Sequence, residues 1–139
     1  MAGALDRSTL NRRAVALVAL LFLAGCNGGT VDRHALTNDR KTLDSVACEG
    51  ALVADGVARG RTTVFYTRDQ AEELRIQASN LADALASRKT VPSIERQVRE
   101  TSKQAARLAG LLQRLHDHPA DRAIGADVEH ALEQAGGCP

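Results

Sequence analysis

Tryptophan is missing from the 139-residue chain, and phenylalanine and tyrosine together occur only three times. A core here has to be built from Leu, Val, Ile and Ala, whose side chains each bury less area than an aromatic ring. Neither sign of charge dominates, with 18 basic against 17 acidic residues, so nothing supports a global attraction to nucleic acid. The longest apolar run, Ala14 to Ala24, is eleven residues, far short of the ~20 that a helix needs to span a bilayer. There is no nucleophile elbow, no phosphate-cradling glycine loop and no H-E-x-x-H helix. No internal repeat stands out, and alanine enrichment is the only compositional bias. Enzymatic activity is therefore not expected.

What the chain does have begins with Arg7, Arg12 and Arg13, followed by that apolar run and then by small residues. This order is a charged n-region, an h-region and a cleavage site. The segment Leu23-Ala24-Gly25-Cys26 resembles the lipobox of bacterial lipoproteins, with an apolar residue, two small residues and a cysteine in sequence. The resemblance covers only the first quarter of the chain. It implies removal of residues 1–25, a thioether from diacylglycerol to Cys26, and a location outside the cytoplasm, held to the membrane by lipid. An ordinary secretory signal cut nearby is the rival reading, and it leaves Cys26 as a thiol. Arg12-Arg13 is faintly similar to a twin-arginine signal, but Ala14-Val15-Ala16 lacks the bulky residues usual there. Asn27 does not resemble the aspartate that retains many such proteins at an inner membrane. Display on an outer membrane or on the outer leaflet of a plasma membrane is thus permitted.

Removal of 25 residues from 139 leaves 114, enough for one small domain. The leader takes three of the 18 basic and one of the 17 acidic residues, so the mature chain carries a formal charge of −1. With Cys26 acylated, Cys48 and Cys138 remain as two cysteines in an oxidising compartment, and a disulfide between them is expected. Two free buried thiols are the alternative. Residues 26–36 read as a lipidated tether with His34 as a solvated loop residue, and residues 37–139 read as the domain.

Four helices are expected in that domain. The first starts near Thr37 to Asp39 and runs to about Ala58, with Leu43, Ala47, Gly50, Ala54 and Val57 on one face. Leu52 and Cys48 fall on the opposite side, which predicts that the C-terminal tail crosses there, covering Leu52 and bonding Cys138 to Cys48. Gly50 and Gly56 read as close-packing positions. Residues 59–66 read as an extended connector that lays Phe65 or Tyr66 over the core; exposure of that pair would instead mark a contact site. Thr67 and Gln70 have the capping-box form, placing the second helix from Arg68 to about Arg88, with Ala71, Leu74, Ala78, Leu81 and Leu85 as its seam. Pro92-Ser93 opens the third helix, in which Ile94, Val98, Thr101, Ala105, Leu108, Leu112 and Leu115 repeat without a slip. The fourth runs from about Ala120 to Ala135, ended by Gly136-Gly137. The expected fold is all-α, an up-and-down bundle of three long helices plus a shorter C-terminal fourth.

Two side-chain groups could carry function. Arg96, Arg99, Lys103, Arg107 and Arg114 fall within about 80° of arc on the third helix, a basic ridge suited to anionic lipid or an acidic envelope polymer. Glu100 interrupts it, and an ordinary solvated face is the plainer reading. His116, His118 and His130 lie near Asp117, Asp121, Asp127 and Glu129 in sequence, but the spacing lacks the i, i+4 arrangement that makes two imidazoles converge, so no metal site and no cofactor beyond the lipid are expected. These features point to a lipid-anchored envelope protein acting as a small interaction or structural module with a protein or polymer partner. A helical bundle binding a small molecule or metal is the alternative.

Overall fold

In a computed structural model, residues 29–138 are described; the expected leader 1–25, the expected lipidation site Cys26 and Asn27 lie outside them. The described chain is all-α. It comprises α1 (Arg33–Ala58), α2 (Val64–Ser87), a 3-10 turn (Pro92–Ile94), α3 (Glu95–Asp117) and α4 (Arg122–Gly136). None of the described helices is long and apolar enough to cross a membrane.

Helix α1 begins earlier than its apolar rhythm indicated, and the cause is a local signature. Asp32 is extended and its carboxylate accepts from the Ala35 amide at 2.8 Å, which makes it the N-cap. Val31 before the cap and Leu36 on the first turn join one buried cluster, the arrangement of a hydrophobic staple. Residues 31 to 36, expected as tether, are therefore folded, and His34 sits on the first turn beside Asn38.

Helix α2 also starts early. Thr63, not Thr67, is the N-cap, accepting from the Tyr66 amide at 3.2 Å. Thr67 is instead buried one turn in, and its hydroxyl donates to Thr62 Oγ1 at 3.3 Å. The expected extended connector thus shortens to Arg59–Thr63, and Phe65 and Tyr66 are helical. For α4, Asp121 accepts from the amides of Ala123 and Ile124 at 3.0 and 3.1 Å. Gly137, at φ 57°, ends that helix, and its amide returns to the Glu133 carbonyl.

The seams are as the spacing foretold. On α1 the face from Leu43 to Val57 is buried, as are all seven positions from Ile94 to Leu115 on the 3-10 turn and α3. Leu81 is the member of the α2 seam left half-buried. α2 packs mainly on α3 and α1 mainly on α4, with smaller contacts between α1 and α2 and between α3 and α4.

The α1–α4 pairing depends on small residues. A Cβ added at Gly125 would stand 2.8 Å from the Ala58 nitrogen and 3.1 Å from the Ala54 carbonyl oxygen, and one at Gly136 would stand 2.6 Å from the Ala47 Cβ. These contacts put the start of α4 beside the end of α1 and the end of α4 beside the middle of α1. Gly50 admits Leu112 and Leu132, whose methyls would lie 2.9 and 3.0 Å from its Cβ. Gly56 meets nothing tighter than Thr62 at 3.4 Å, so close packing explains Gly50 and not Gly56.

A second apolar cluster forms at one end of the helices from Val31, Leu36, Leu85, Ile94 and Val98. There the chain before α1 is clipped to the α2–α3 connector. The Val31 amide donates to the Lys89 carbonyl at 2.8 Å, and the Val91 amide donates to the Val31 carbonyl at 3.3 Å. Burial of Val31 and Leu36 against Leu85, Ile94 and Val98, at ~1.5–3 kcal/mol for a fully buried aliphatic side chain, helps hold this clip shut.

Candidate interaction surface

The cysteines are brought together. Cys48 on α1 and Cys138 just past α4 are in disulfide contact, with Cα atoms 5.4 Å apart. Gly136 and Gly137 make this possible, the first by letting α4 close on Ala47 and the second by turning the chain. The tail stops at Cys48, however, and does not cover Leu52, which is 74% exposed. Among the described residues, none covers Leu52 on the face opposite the α1 seam.

Leu52 has company. Phe65 is 81% and Tyr66 51% exposed, and Val64 beside them is also exposed. The expectation that one of these rings caps the core is overturned: the early start of α2 turns its first residues outward and gives the inward position to Thr67. Leu52 and Tyr66 line one groove of about 640 Å³ between α1 and α2, with Val53, Gly56 and Thr62 along its walls and Glu49 and Arg61 at its rim. The two aromatic residues of the described chain and its most exposed leucine thus gather near the α1–α2 connector.

The five ridge cations are all exposed on α3. They do not act as one free row. Arg99 bonds Glu95 at 2.7 Å, and Arg114 reaches Asp127 on α4 at 3.3 Å. Arg107 and Lys103 border a shallow groove against the end of α4, where Gln104 donates to the Ala135 carbonyl at 3.0 Å. Arg96 stands at the end where Val31 is clipped.

The histidines and carboxylates disperse. His116 contacts Asp117 at 3.2 Å, His130 meets Gln134, and Asp121 is spent on its cap. Hydrogen bonds from His116 and then Gln113 hold the Asp117 carboxyl below its usual range. Among the described residues no three His, Cys, Asp or Glu side chains converge as metal ligands. Beside the disulfide, a groove of about 350 Å³ collects Asp55, Arg59, Glu129 and Glu133. Burial, then the charges of Asp55 and Glu133, push the Glu129 carboxyl above its usual range, while Asp55 is engaged by Arg61 at 2.7 Å and by Arg59.

Sequence reasoning missed two elements of this surface. The clip at Val31 has no periodic signal, although Val31-Asp32 followed by Leu36 carries a staple pattern. The outward turn of Phe65 hinged on which of two threonines caps α2.

Over the described residues, fold and surface together define an all-α, four-helix chain with an exposed aromatic and aliphatic patch. No protein-family model matches the chain, and neither a curated protein nor a solved structure matches it.

Proposed function

We propose that this is a lipid-anchored protein of the bacterial cell envelope, an up-and-down bundle of three long helices and a shorter fourth that serves as an interaction module rather than an enzyme. The lipobox-like Leu23-Ala24-Gly25-Cys26 supports the anchor. The observation that carries the interaction role is the exposure of Phe65, Tyr66 and Leu52. Aromatic residues are scarce in this chain, and burial of one side chain of this size is worth ~1.5–3 kcal/mol, so leaving them in water forgoes stability that the domain could use. Exposed aromatics beside an aliphatic groove are the usual centre of a protein–protein contact. The partner in this reading is an envelope protein with an apolar ridge that fills the groove between Leu52 and Tyr66.

Crosslinking of the full-length, membrane-extracted protein, followed by mass spectrometry, tests this. Wild type is expected to capture one envelope protein that the double variant Phe65→Ala, Tyr66→Ala loses. Both substitutions are on the surface and are expected to change stability by only about ±0.5 kcal/mol. Unchanged capture by a variant that melts like wild type would remove the patch from the function.

A further inference from the structure

With a lipid on Cys26, the clip at Val31 would fix which end of the molecule faces the membrane. Four residues lie between Cys26 and Val31, so the five Cα-to-Cα steps joining them span at most about 17 Å. Val31 is itself bonded to the α2–α3 connector at Lys89 and Val91. An anchor at Cys26 therefore holds the connector and the first turns of α1 and α3 near the lipid, and leaves the Phe65–Tyr66 patch pointing away.

That tethered end is cationic. Arg88, Arg99 and Lys103 line one groove of about 550 Å³ between the end of α2 and the first half of α3. Glu95, the one carboxylate lining it, is bonded to Arg99 at 2.7 Å. Neither Arg88 nor Lys103 makes an ion pair among the described residues. Thr90, Ser102, Leu85 and Val98 complete the groove lining; the Thr90 hydroxyl donates to the Arg88 carbonyl at 3.4 Å and the Ser102 hydroxyl to the Ala82 carbonyl at 3.0 Å, which leaves both oxygens as acceptors. Arg33, Lys89 and Arg96 surround the same end, exposed.

We propose that this groove seats the phosphate of an anionic phospholipid headgroup, with Arg88 and Lys103 as its charged contacts. This rests on the lipid-anchor reading. Of the basic row on α3 it assigns the half nearest the clip to the membrane. Arg114, about 27 Å further along the helix than Arg96 and engaged by Asp127, lies beyond reach. Two cations without an ion-pair partner among the described residues, Arg88 and Lys103, beside the Arg99–Glu95 pair give a local attraction that the net charge conceals.

Only three lysines exist in the chain, Lys41, Lys89 and Lys103, so amine acetylation read by mass spectrometry reports on the groove directly. The full-length lipidated protein is reconstituted in vesicles of phosphatidylcholine, with or without about one-third phosphatidylglycerol, and recovered by flotation. The expected result is flotation with both vesicles and acetylation of Lys103 slowed by about fivefold only with phosphatidylglycerol, an effect of the size one cation near a charged surface supplies. High salt and Arg88→Gln are expected to abolish the slowing, with Lys41 unaffected throughout. Flotation with both vesicles but equal Lys103 labelling would overturn the headgroup seat and leave the anchor standing. Failure to float with either would remove the anchor and this placement with it. Equal protection by inorganic phosphate in detergent would make the groove a site for free phosphate and defeat the proposal.

Discussion

Two glycines inside helices show how much a single missing methyl group can decide. At Gly110 on α3 nothing lies within 4 Å of an added Cβ, whereas at Gly125 on α4 the Ala58 backbone nitrogen stands 2.8 Å away. The first position therefore carries only the helix penalty of glycine, and Gly110→Ala is expected to stabilise by ~0.5–1 kcal/mol. The second is a van der Waals necessity. Gly125→Ala gains the same propensity but forces α4 off α1, and overpacking of this kind costs ~1–3 kcal/mol, so the net change is a loss. Urea denaturation followed by circular dichroism checks both; a gain at Gly125 would mean that the α1–α4 contact is looser than described. Sequence cannot separate these two residues, because both sit in alanine-rich helical patterns. Leu52 makes the same point from the other side. Its place opposite the α1 seam was readable, but its exposure depends on which segments pack against α1.

The elements were legible wherever a long periodic face met a strong stop. All seven expected inward positions from Ile94 to Leu115 are buried, since twenty-odd residues of uninterrupted rhythm leave one face to bury. The starts of α1 and α2 were not legible, because in each case a cap lies before the first periodic residue. Thr63 and Thr67 both precede suitable sequence, and only packing of Thr67 against Thr62 chooses between them. Thr63→Ala is accordingly expected to cost ~1 kcal/mol and to fray the first turn of α2. Gln70→Ala, which would remove a capping box begun at Thr67, is expected to stay within about 0.5 kcal/mol. A larger loss at Gln70 than at Thr63 in thermal denaturation would restore the later helix start.

Across the whole molecule, stability leans on one long-range closure. The Cys48–Cys138 contact joins residues 90 apart, and removing such a loop from the unfolded ensemble is worth ~4–5 kcal/mol in the chain-entropy model, an upper figure. Against a total of ~5–15 kcal/mol for a domain of this size, Cys138→Ser is expected to lower the urea midpoint substantially. Reductant is expected to bring wild type to the same midpoint. Identical midpoints for oxidised wild type and variant would show that α1–α4 packing alone holds the C-terminus. The residues by themselves determined the helix count, the buried stripes and the supply of cysteines, because helical periodicity and residue number are properties of the local chain. Only the tertiary structure decided that Val31 closes on Lys89 and Val91, that Leu52 and Phe65 stay in water, and that two of the five α3 cations, Arg99 and Lys103, share a groove with Arg88. Each of these depends on which distant segment arrives at a given face, and no spacing rule within a helix records that arrival.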